Sequence, residues 1–306
     1  MHPVLFQVGG LAVPTYGVAM AAGFLVGIKL ALRGARIQGV SANRLVDMAF
    51  WVLLTSIAGS RLLFVLTNPG DYVAVCLQGL EPDRGVGQLL VDCTRALQFW
   101  DGGHVFYGGV LAAIATIVWF TRRHGMQLAR VTDLLAPSLA LGHFFGRMGC
   151  YAAGCCHGKA TTSALGVSFP AGSLAHAELT ILGQLPAGAA ATPPLHPTQL
   201  YEALVELCIF GLLLLLNQRR RWFGQTTLAY LVLYPAARFV IELFRGDHDR
   251  RYLLELHTPG LNALLGLPRD AAALLSTSQL ISLLVLGAAL TLWLVRRARA
   301  RAAVRA

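Results

Sequence analysis

The sequence predicts an all-α integral membrane protein with about seven transmembrane helices, an N-terminus outside and a C-terminus in the cytoplasm. Three observations predict this fold: the composition, a series of long apolar segments, and the distribution of basic residues between them. Of 306 residues, 56% are hydrophobic and only 13% are charged, whereas soluble domains average roughly 45–50% apolar and about 25% charged residues. This composition excludes an ordinary cytosolic enzyme, a disordered chain and a small disulfide scaffold.

Seven segments are long and apolar enough to cross a bilayer, because a spanning helix needs about 20 mostly apolar residues. They lie at residues 13–32, 45–67, 104–121, 131–152, 196–216, 226–245 and 277–295. The first segment has neither a basic region before it nor a small-residue cleavage site after it. We therefore expect it to be a retained helix and not a removed signal peptide.

Basic residues concentrate in the loops that follow spans 1, 3, 5 and 7, whereas most loop acids lie in the other loops. The positive-inside rule places the basic loops in the cytoplasm. We therefore interpret the formal net charge of +10 as a signal of topology and of contact with anionic membrane lipids, and not of nucleic-acid binding. The basic residues are Lys29, Arg33, Arg36, Arg44, Arg122, Arg123, Arg130, Arg219, Arg220, Arg221, Arg296, Arg297, Arg299, Arg301 and Arg305.

The predicted domain organisation is a single membrane-embedded domain that covers residues 1–306. Three extracytoplasmic loops are expected at 68–103, 153–195 and 246–276, and a basic cytoplasmic tail at 296–306. We expect no separate soluble domain.

Charged residues within the apolar spans are costly in a bilayer and mark either a functional site or a paired structural site. Arg238 and Glu242 are four residues apart, which permits an internal salt bridge along one helix. Arg147 has no acid three or four residues away and lies in a glycine-rich segment, which favours function. Guanidinium groups on different helices would suit a phosphate headgroup, because arginine binds phosphate through paired donors. Further charges lie within the spans at Arg61, Glu202, Glu206 and Arg245.

The six cysteines fall into three groups. Cys76 and Cys93 share the first outside loop, where an oxidising environment favours a disulfide. Cys208 lies in mid-span, where it is expected to be a small core residue. Cys150, Cys155 and Cys156 form the third group. Their spacing matches no common zinc pattern, and adjacent cysteines seldom ligate one ion together. We therefore expect a local disulfide or small-residue packing there, and neither a metal nor a cofactor.

Short strings that run in order along nearly the whole chain resemble the prolipoprotein diacylglyceryl transferases of bacterial inner membranes. They are HPVLF at 2–6, TYG at 15–17, GSRL at 59–62, WDGGHVFYGG at 100–109, DLLAPS at 133–138, GRMG at 146–149, HPTQLYE at 196–202, YPAARF at 234–239, ELFR at 242–245 and SQLIS at 278–282. Each string alone is weak, but together they are specific because their order is that of the family.

The resemblance implies a reaction. It takes a diacylglyceryl group from phosphatidylglycerol and places it on the lipobox cysteine thiol of a preprolipoprotein, which it recognises through the signal peptide. A thioether forms and glycerol phosphate leaves. The resemblance implies catalytic roles for Arg147, Arg238, Tyr107 and His104. It further implies substrate binding by Tyr16, Arg61, Gly108, Gly109, Cys150, Gly158, Gln199, Tyr234, Glu242 and Arg245.

The chain departs from the family pattern at three positions. Tyr107 stands where the family usually has a histidine that is given the role of general base, Cys150 where it has asparagine, and Cys155 where it has glutamate. Tyrosine, with an unperturbed pKa near 10, is a poor base at neutral pH. Three interpretations stay open: the base is dispensable, His104 supplies it from three residues earlier, or the acceptor differs.

Two further classes of function compete with the transferase. A repurposed phospholipid-binding membrane protein could keep the arginines and lose the chemistry at the three departures. A transporter could also have buried intramembrane charges, but the sequence has no visible inverted repeat. The transferase hypothesis accounts for the most residues.

Overall fold

A computed structural model of the chain describes residues 3–78, 93–98, 103, 105–186, 188–246, 253–254, 259–264 and 275–305. The chain divides into two compact units. One comprises residues 1–31 and 132–306, and the other comprises residues 32–131.

The chain begins with a short antiparallel hairpin of β1 (Val4–Val8) and β2 (Leu11–Pro14). Gly9 and Gly10 connect the strands with φ angles of +55° and +84°, which glycine adopts without steric cost. Helix α1 (Thr15–Gln38) follows directly, and the Thr15 amide donates to the carbonyl of Pro3 at 2.9 Å. The hairpin therefore closes on the start of the first long helix.

The unit of residues 32–131 is built on α2 (Ala42–Thr67) and α4 (Phe106–Arg123). Between them lie α3 (Pro69–Gln78) and a 3₁₀ turn, Arg95–Leu97. Ser41 caps α2, since its hydroxyl accepts from the amide of Arg44. Cys76 in α3 and Cys93, for which the sequence predicts a disulfide, are joined by one in the structure. The bond ties the end of α3 to the segment that leads into the 3₁₀ turn.

Glycines allow the backbones of α2 and α4 to approach closely. A Cβ added to Gly59 would lie 2.5 Å from Cβ of Ala112 and 2.7 Å from the carbonyl oxygen of Gly108. A Cβ on Gly108 would meet the carbonyl oxygen of Gly59 in the same way. Close approach through small residues is how helices associate in lipid, where burial of apolar surface supplies no driving force.

Replacing Gly59 by valine is therefore expected to lower the apparent melting temperature of the detergent-solubilised protein by several degrees. The branched side chain has no space at this crossing, and overpacking typically costs about 1–3 kcal/mol. Gly211→Ala is the matched control, because nothing lies within 4 Å of a Cβ built on that glycine. A melting temperature for Gly59→Val equal to that of Gly211→Ala would contradict the packing argument.

The helices that follow α4 along the chain lie mainly in the other unit. In order, they are α5 (Leu128–Ala153), α6 (Leu174–Ile181), α7 (Thr198–Gln218), α8 (Gln225–Ile241), a 3₁₀ turn (Glu242–Phe244), α9 (Pro259–Leu264) and α10 (Thr277–Arg305). An apolar core joins three of these helices, with Ala136 and Ala140 from α5, Ile209 and Leu213 from α7, and Ala229 and Tyr230 from α8.

Asp133 fixes the start of α8. Its buried carboxylate accepts from the amides of Gly224 and Thr227 at 2.7 and 2.8 Å and from the Thr227 hydroxyl at 2.8 Å. The first amides of a helix have no partners within it, so a carboxylate there stabilises the helix terminus. The contact sets the position of α8 against α5.

Each of the seven predicted spans coincides with an α-helix. Within the part of the chain that the structure describes, five helical segments are long and apolar enough to cross a membrane, namely Thr15–Gln38, Ala42–Thr67, Thr198–Gln218, Gln225–Phe244 and Thr277–Ala302. The helices Phe106–Arg123 and Leu128–Ala153 are not among these five. The fold is that of a largely helical protein with several membrane-spanning helices.

The predicted outside loop at 153–195 has a small packed core of its own in the part that the structure describes. Phe169, Ala175, Leu179 and Leu195 bury their side chains together. Backbone bridges pair Ala160 and Val167 with Leu195, and Pro170 with Ala191. Short paired segments and α6 thus give this predicted loop a folded structure of its own.

Candidate active site

The carboxylate of Glu202 on α7 lies at the centre of a polar cluster. Its Oε1 is 2.9 Å from Nη2 of Arg147 on α5, and its Oε2 is 3.1 Å from Nη1 of Arg238 on α8. The hydroxyl of Tyr234 donates to Oε1 at 3.3 Å. One carboxylate therefore holds two guanidinium groups from two different helices.

Helical spacing explains why these groups meet. The core residues of α5, α7 and α8 continue toward the cluster at intervals of three or four residues, and such residues share one helix face. Along α5, Ala140 is followed by His143 and Arg147; along α8, Tyr230 is followed by Tyr234 and Arg238. The apolar core thus leads into the polar cluster without a change of face.

A second carboxylate extends the cluster to α10. Oε2 of Glu242 is 2.7 Å from Nη2 of Arg238, which is the salt bridge that the four-residue spacing predicts. Oε1 of Glu242 accepts from the hydroxyl of Ser276 at 2.9 Å. Gln279 fixes Ser276 in turn, because its Oε1 accepts from the Ser276 amide at 2.9 Å. The arginine is therefore held from both sides.

His143 is a member of the cluster that sequence reasoning missed. Its Nδ1 is 2.6 Å from Oε1 of Glu206, and its Nε2 accepts from Nε of Arg147 at 3.3 Å. Its Nε2 also lies 3.5 Å from Oε1 of Glu202, so the imidazole ring contacts both buried carboxylates of α7. The available sequence signal is its position four residues before Arg147. The sequence likewise marks Glu202 and Glu206 only as intramembrane charges.

The acidic side chains of the cluster are more deeply buried than the basic ones. The side chains of Glu202, Glu206 and Glu242 are at most 2% exposed, whereas those of Arg147 and Arg238 are 16% and 12% exposed. The carboxylates lie behind the guanidinium groups and orient them. Oriented and partly accessible guanidinium groups are suited to a phosphate, which they bind through paired, charge-assisted hydrogen bonds.

Arg245 and Gly158 lie beside the cluster. They form a backbone bridge, and Arg245 is buried. A Cβ on Gly158 would lie 2.6 Å from both Cβ of His196 and the carbonyl oxygen of Phe244. The glycine that the family resemblance singles out is therefore required for close backbone packing at the entrance to the segment that follows α5.

Three cysteines converge next to the arginines. The Sγ atoms of Cys150, Cys155 and Cys156 all lie within 4.8 Å of one another, and all three are free thiols. Of the two alternatives that the sequence leaves open for these cysteines, a local disulfide and small-residue packing, the disulfide is therefore wrong. Cys150 and Cys155, and then Arg245 and Arg147, lower the pKa of the Cys156 thiol below its ordinary value through hydrogen bonds and charge.

Tyr16 at the start of α1 lies against this group. Its ring packs on Gly149, where an added Cβ would be 3.1 Å from Cδ2 of the tyrosine. The hydroxyl interacts electrostatically with the three cysteines and with Arg147. Tyr16 is 42% exposed, so it borders the arginine and cysteine groups without closing them off.

Gln199, the remaining predicted substrate-binding residue of this unit, does not belong to the arginine cluster. It is fully buried, and its amide nitrogen donates to the carbonyl of Cys155 at 2.6 Å. The structure therefore gives it a role in holding the cysteine segment.

Four further predicted site residues lie in the unit of residues 32–131. Arg61 is buried, and it donates to the carbonyls of Gly103 and Arg95 at 3.2 and 2.9 Å. Gly108 and Gly109 pack against α2, and Tyr107 lies half exposed in the first turn of α4. The arginine and the glycines thus have structural roles in this unit. His104 lies outside the described residues.

Comparison with known proteins shows similarity to one family over nearly the whole chain. The family model for prolipoprotein diacylglyceryl transferase matches residues 3–295. A phosphatidylglycerol–prolipoprotein diacylglyceryl transferase 2 of Clostridium perfringens is 27% identical, over 98% of each chain. Transferases with the same name are 30% identical in Pseudoalteromonas atlantica, over 97% of this chain and 90% of that one, and 32% identical in Cereibacter sphaeroides, over 85% and 84%.

The match covers almost all of the 306 residues, and it includes every element that carries the arginine cluster. The chain belongs to the prolipoprotein diacylglyceryl transferase family.

Proposed function

We propose that this protein transfers the diacylglyceryl group of phosphatidylglycerol to the lipobox cysteine thiol of preprolipoproteins, in the inner membrane of a bacterium. A thioether forms and glycerol phosphate leaves. One observation carries the proposal: Arg147 and Arg238, on different helices, share the buried carboxylate of Glu202 and remain partly accessible. The relatives named above have the same activity in their names.

The chemistry needs a cation at the phosphate. The thiolate sulfur forms a bond to the glycerol carbon while the bond from that carbon to the phosphate ester oxygen breaks. The electron pair stays on the leaving oxygen, so negative charge grows on the phosphate in the transition state. Guanidinium groups already oriented by carboxylates stabilise this charge without reorganising during the reaction.

The proposed topology has all seven helices in the bilayer, with the N-terminus outside. The basic residues at the C-terminal ends of α1, α4 and α10 and directly after α7 support this orientation through the positive-inside rule. In this arrangement the segment after α5 is extracytoplasmic, and the arginine cluster lies in the outer half of the membrane. A preprolipoprotein with its signal peptide in the membrane would then present its cysteine at the height of the cluster.

Complementation tests the proposal. Cells depleted of their own diacylglyceryl transferase should grow when they express this protein and should convert a reporter preprolipoprotein to its lipidated form. The control is the Arg147→Ala variant at matched expression. A protein that is inserted and expressed but does not lipidate the reporter would favour a phospholipid-binding protein without transfer activity, and it would overturn the proposal.

Tyr107 is expected to position lipid and not to act as a base. We therefore expect Tyr107→Phe to slow transfer by less than Arg147→Ala does. We expect Tyr107→His to be tolerated, because histidine is usual in the family at this position. The measurement is a side-by-side transfer assay of the three variants. If Tyr107→Phe is as inactive as Arg147→Ala, the hydroxyl takes part in the chemistry directly.

A further inference from the structure

The lipobox thiol must lose its proton before it reacts, because the thiolate and not the thiol is the nucleophile. Three cysteines lie at the edge of the arginine cluster, with sulfur atoms within 4.8 Å of one another. Three thiolates can bind a zinc ion, and zinc deprotonates a thiol that it coordinates. These cysteines could therefore act on the proton of the lipobox thiol.

We propose that Cys150, Cys155 and Cys156 bind a zinc ion with three thiolates and leave its fourth position for the thiolate of the incoming lipobox cysteine. This inference rests on the proposed function. Catalytic zinc sites have three protein ligands and an open fourth position. Zinc–sulfur bonds of about 2.3 Å in a tetrahedral site place the sulfur atoms roughly 3.8 Å apart, which is within the observed spacing.

The backbone brings the two adjacent cysteines to one side. Among the residues that the structure describes, Cys156 is the non-glycine residue with a positive φ, at +60°. This left-handed conformation is sterically unfavourable for a residue with a side chain. Side chains of neighbouring residues in extended backbone point to opposite faces. The left-handed turn at Cys156 removes that obstacle to a shared ion.

Buried polar side chains hold this turn from behind. The hydroxyl of Thr198 donates to the carbonyl of Cys156 at 2.8 Å, and the amide of Gln199 donates to the carbonyl of Cys155 at 2.6 Å. Thr198 and Gln199 are both fully buried. Outer partners that fix the ligand-bearing backbone are typical of metal sites.

The charged residues around the three sulfur atoms and the exposure of the cysteines also fit a zinc ion with an open fourth coordination position. Three thiolates and one Zn²⁺ carry a net negative charge, and Arg147 and Arg245 both interact electrostatically with Cys156. Cys150 is buried, whereas Cys155 and Cys156 are partly exposed. The cluster therefore has a closed side and an open side, and the open side is where a fourth ligand would enter.

With a zinc ion bound, the reaction would need no general base to deprotonate the lipobox thiol. A thiol that coordinates zinc is deprotonated outright, so the lipobox thiol would release its proton to water on binding. Its sulfur would then form the bond to the glycerol carbon as the carbon–oxygen bond to the phosphate breaks, with the electron pair leaving on the glycerol phosphate held by the arginines. The neutral thioether, a weaker ligand than the thiolate, would leave the zinc.

Cobalt substitution tests the site independently of activity. The full-length protein is purified in detergent under argon without reductant, so that the Cys76–Cys93 disulfide stays closed, and is titrated with Co²⁺. We expect one ion per chain with thiolate-to-cobalt charge-transfer bands. Cys150→Ser, Cys155→Ser and Cys156→Ser should each weaken binding at least tenfold, whereas Cys208→Ser, the control, should leave it unchanged. Absence of these bands in the wild-type protein would overturn the proposal without reference to any variant.

A separate measurement tests whether the lipobox cysteine occupies the fourth coordination position of the metal. Addition of a lipobox peptide should shift the ligand-field bands of the cobalt protein, and a peptide with serine in place of the cysteine should not. Removal of the metal by a chelator should abolish transfer, and Zn²⁺ should restore it. Full transfer by the metal-free protein would overturn the role of zinc in the reaction and leave the proposed function intact. One zinc bound by the three cysteines without any transfer would overturn the proposed function and leave the site.

Discussion

Replacement of Arg147 by alanine is expected to lower transfer by more than about 100-fold, the loss typical of removing one preorganised donor to a developing anion. The protein should still insert and fold, because Glu202 keeps Arg238 and Tyr234 as partners. Lysine should restore little activity, since an ammonium group offers no planar pair of donors for a phosphate. The measurement is initial rate against phosphatidylglycerol concentration at matched protein amounts.

Arg219→Ala is the control for loss of a positive charge. Arg219 directly follows the last residue of α7 and is exposed. Surface substitutions away from a site usually have small effects, so this variant should keep the rate within about twofold of wild type. Transfer by Arg147→Ala at the rate of this control would contradict the assignment of Arg147 to the phosphate.

Glu202→Gln is expected to have the largest combined effect on stability and activity. The substitution keeps the shape of the side chain but removes the negative charge that pairs with Arg147 and Arg238; Arg238 keeps its salt bridge to Glu242. Breaking a buried ion pair typically costs about 3–5 kcal/mol. We therefore expect a lower apparent melting temperature in detergent and at least a tenfold loss of transfer, because Arg147 loses the carboxylate that orients it.

Glu206→Gln is the matched comparison. Glu206 is as deeply buried as Glu202, but the partners it has in the described residues are the ring of His143 and the hydroxyl of Tyr230, and neither is an arginine. Its loss should therefore shift the melting temperature by less than half the shift of Glu202→Gln. Equal shifts for the two variants would show that Glu202 does not owe its role to the two arginines.

Much of the helical framework could be predicted from the sequence, because membrane-spanning helices depend on composition over about 20 residues. The spans from 13–32 to 277–295 all coincide with helices. The predicted pair Arg238 and Glu242 also follows from local spacing, because residues four apart share a helix face. Such features need no knowledge of how the helices pack.

The carboxylate partner of Arg147 could not be predicted, because it lies on a different helix. Glu202 is 55 residues further along the chain and has no fixed spacing from Arg147. The contact between His143 on α5 and Glu206 on α7 depends on the same packing of helices. A lone polar residue in an apolar span signals that a partner exists, but it does not identify the partner.

The convergence of the three cysteines could not be predicted from the sequence for a different reason. Spacing argues against a shared ion for Cys155 and Cys156, because neighbouring side chains usually diverge. The left-handed φ of Cys156 and its contact with Thr198 reverse that argument, and neither is visible in the order of residues. The roles of Arg61 and Gly108 in packing depend likewise on contacts that only the fold provides.

The most direct test of the account is transfer by the purified protein to a synthetic lipobox peptide, with phosphatidylglycerol as the lipid and mass spectrometry of the peptide as the readout. The account predicts a mass gain of one diacylglyceryl group on the cysteine, resistant to hydroxylamine as a thioether is, and no gain on a serine peptide or with Arg147→Ala. An unmodified cysteine peptide, in a reaction where the Clostridium perfringens relative gives full product, would contradict it.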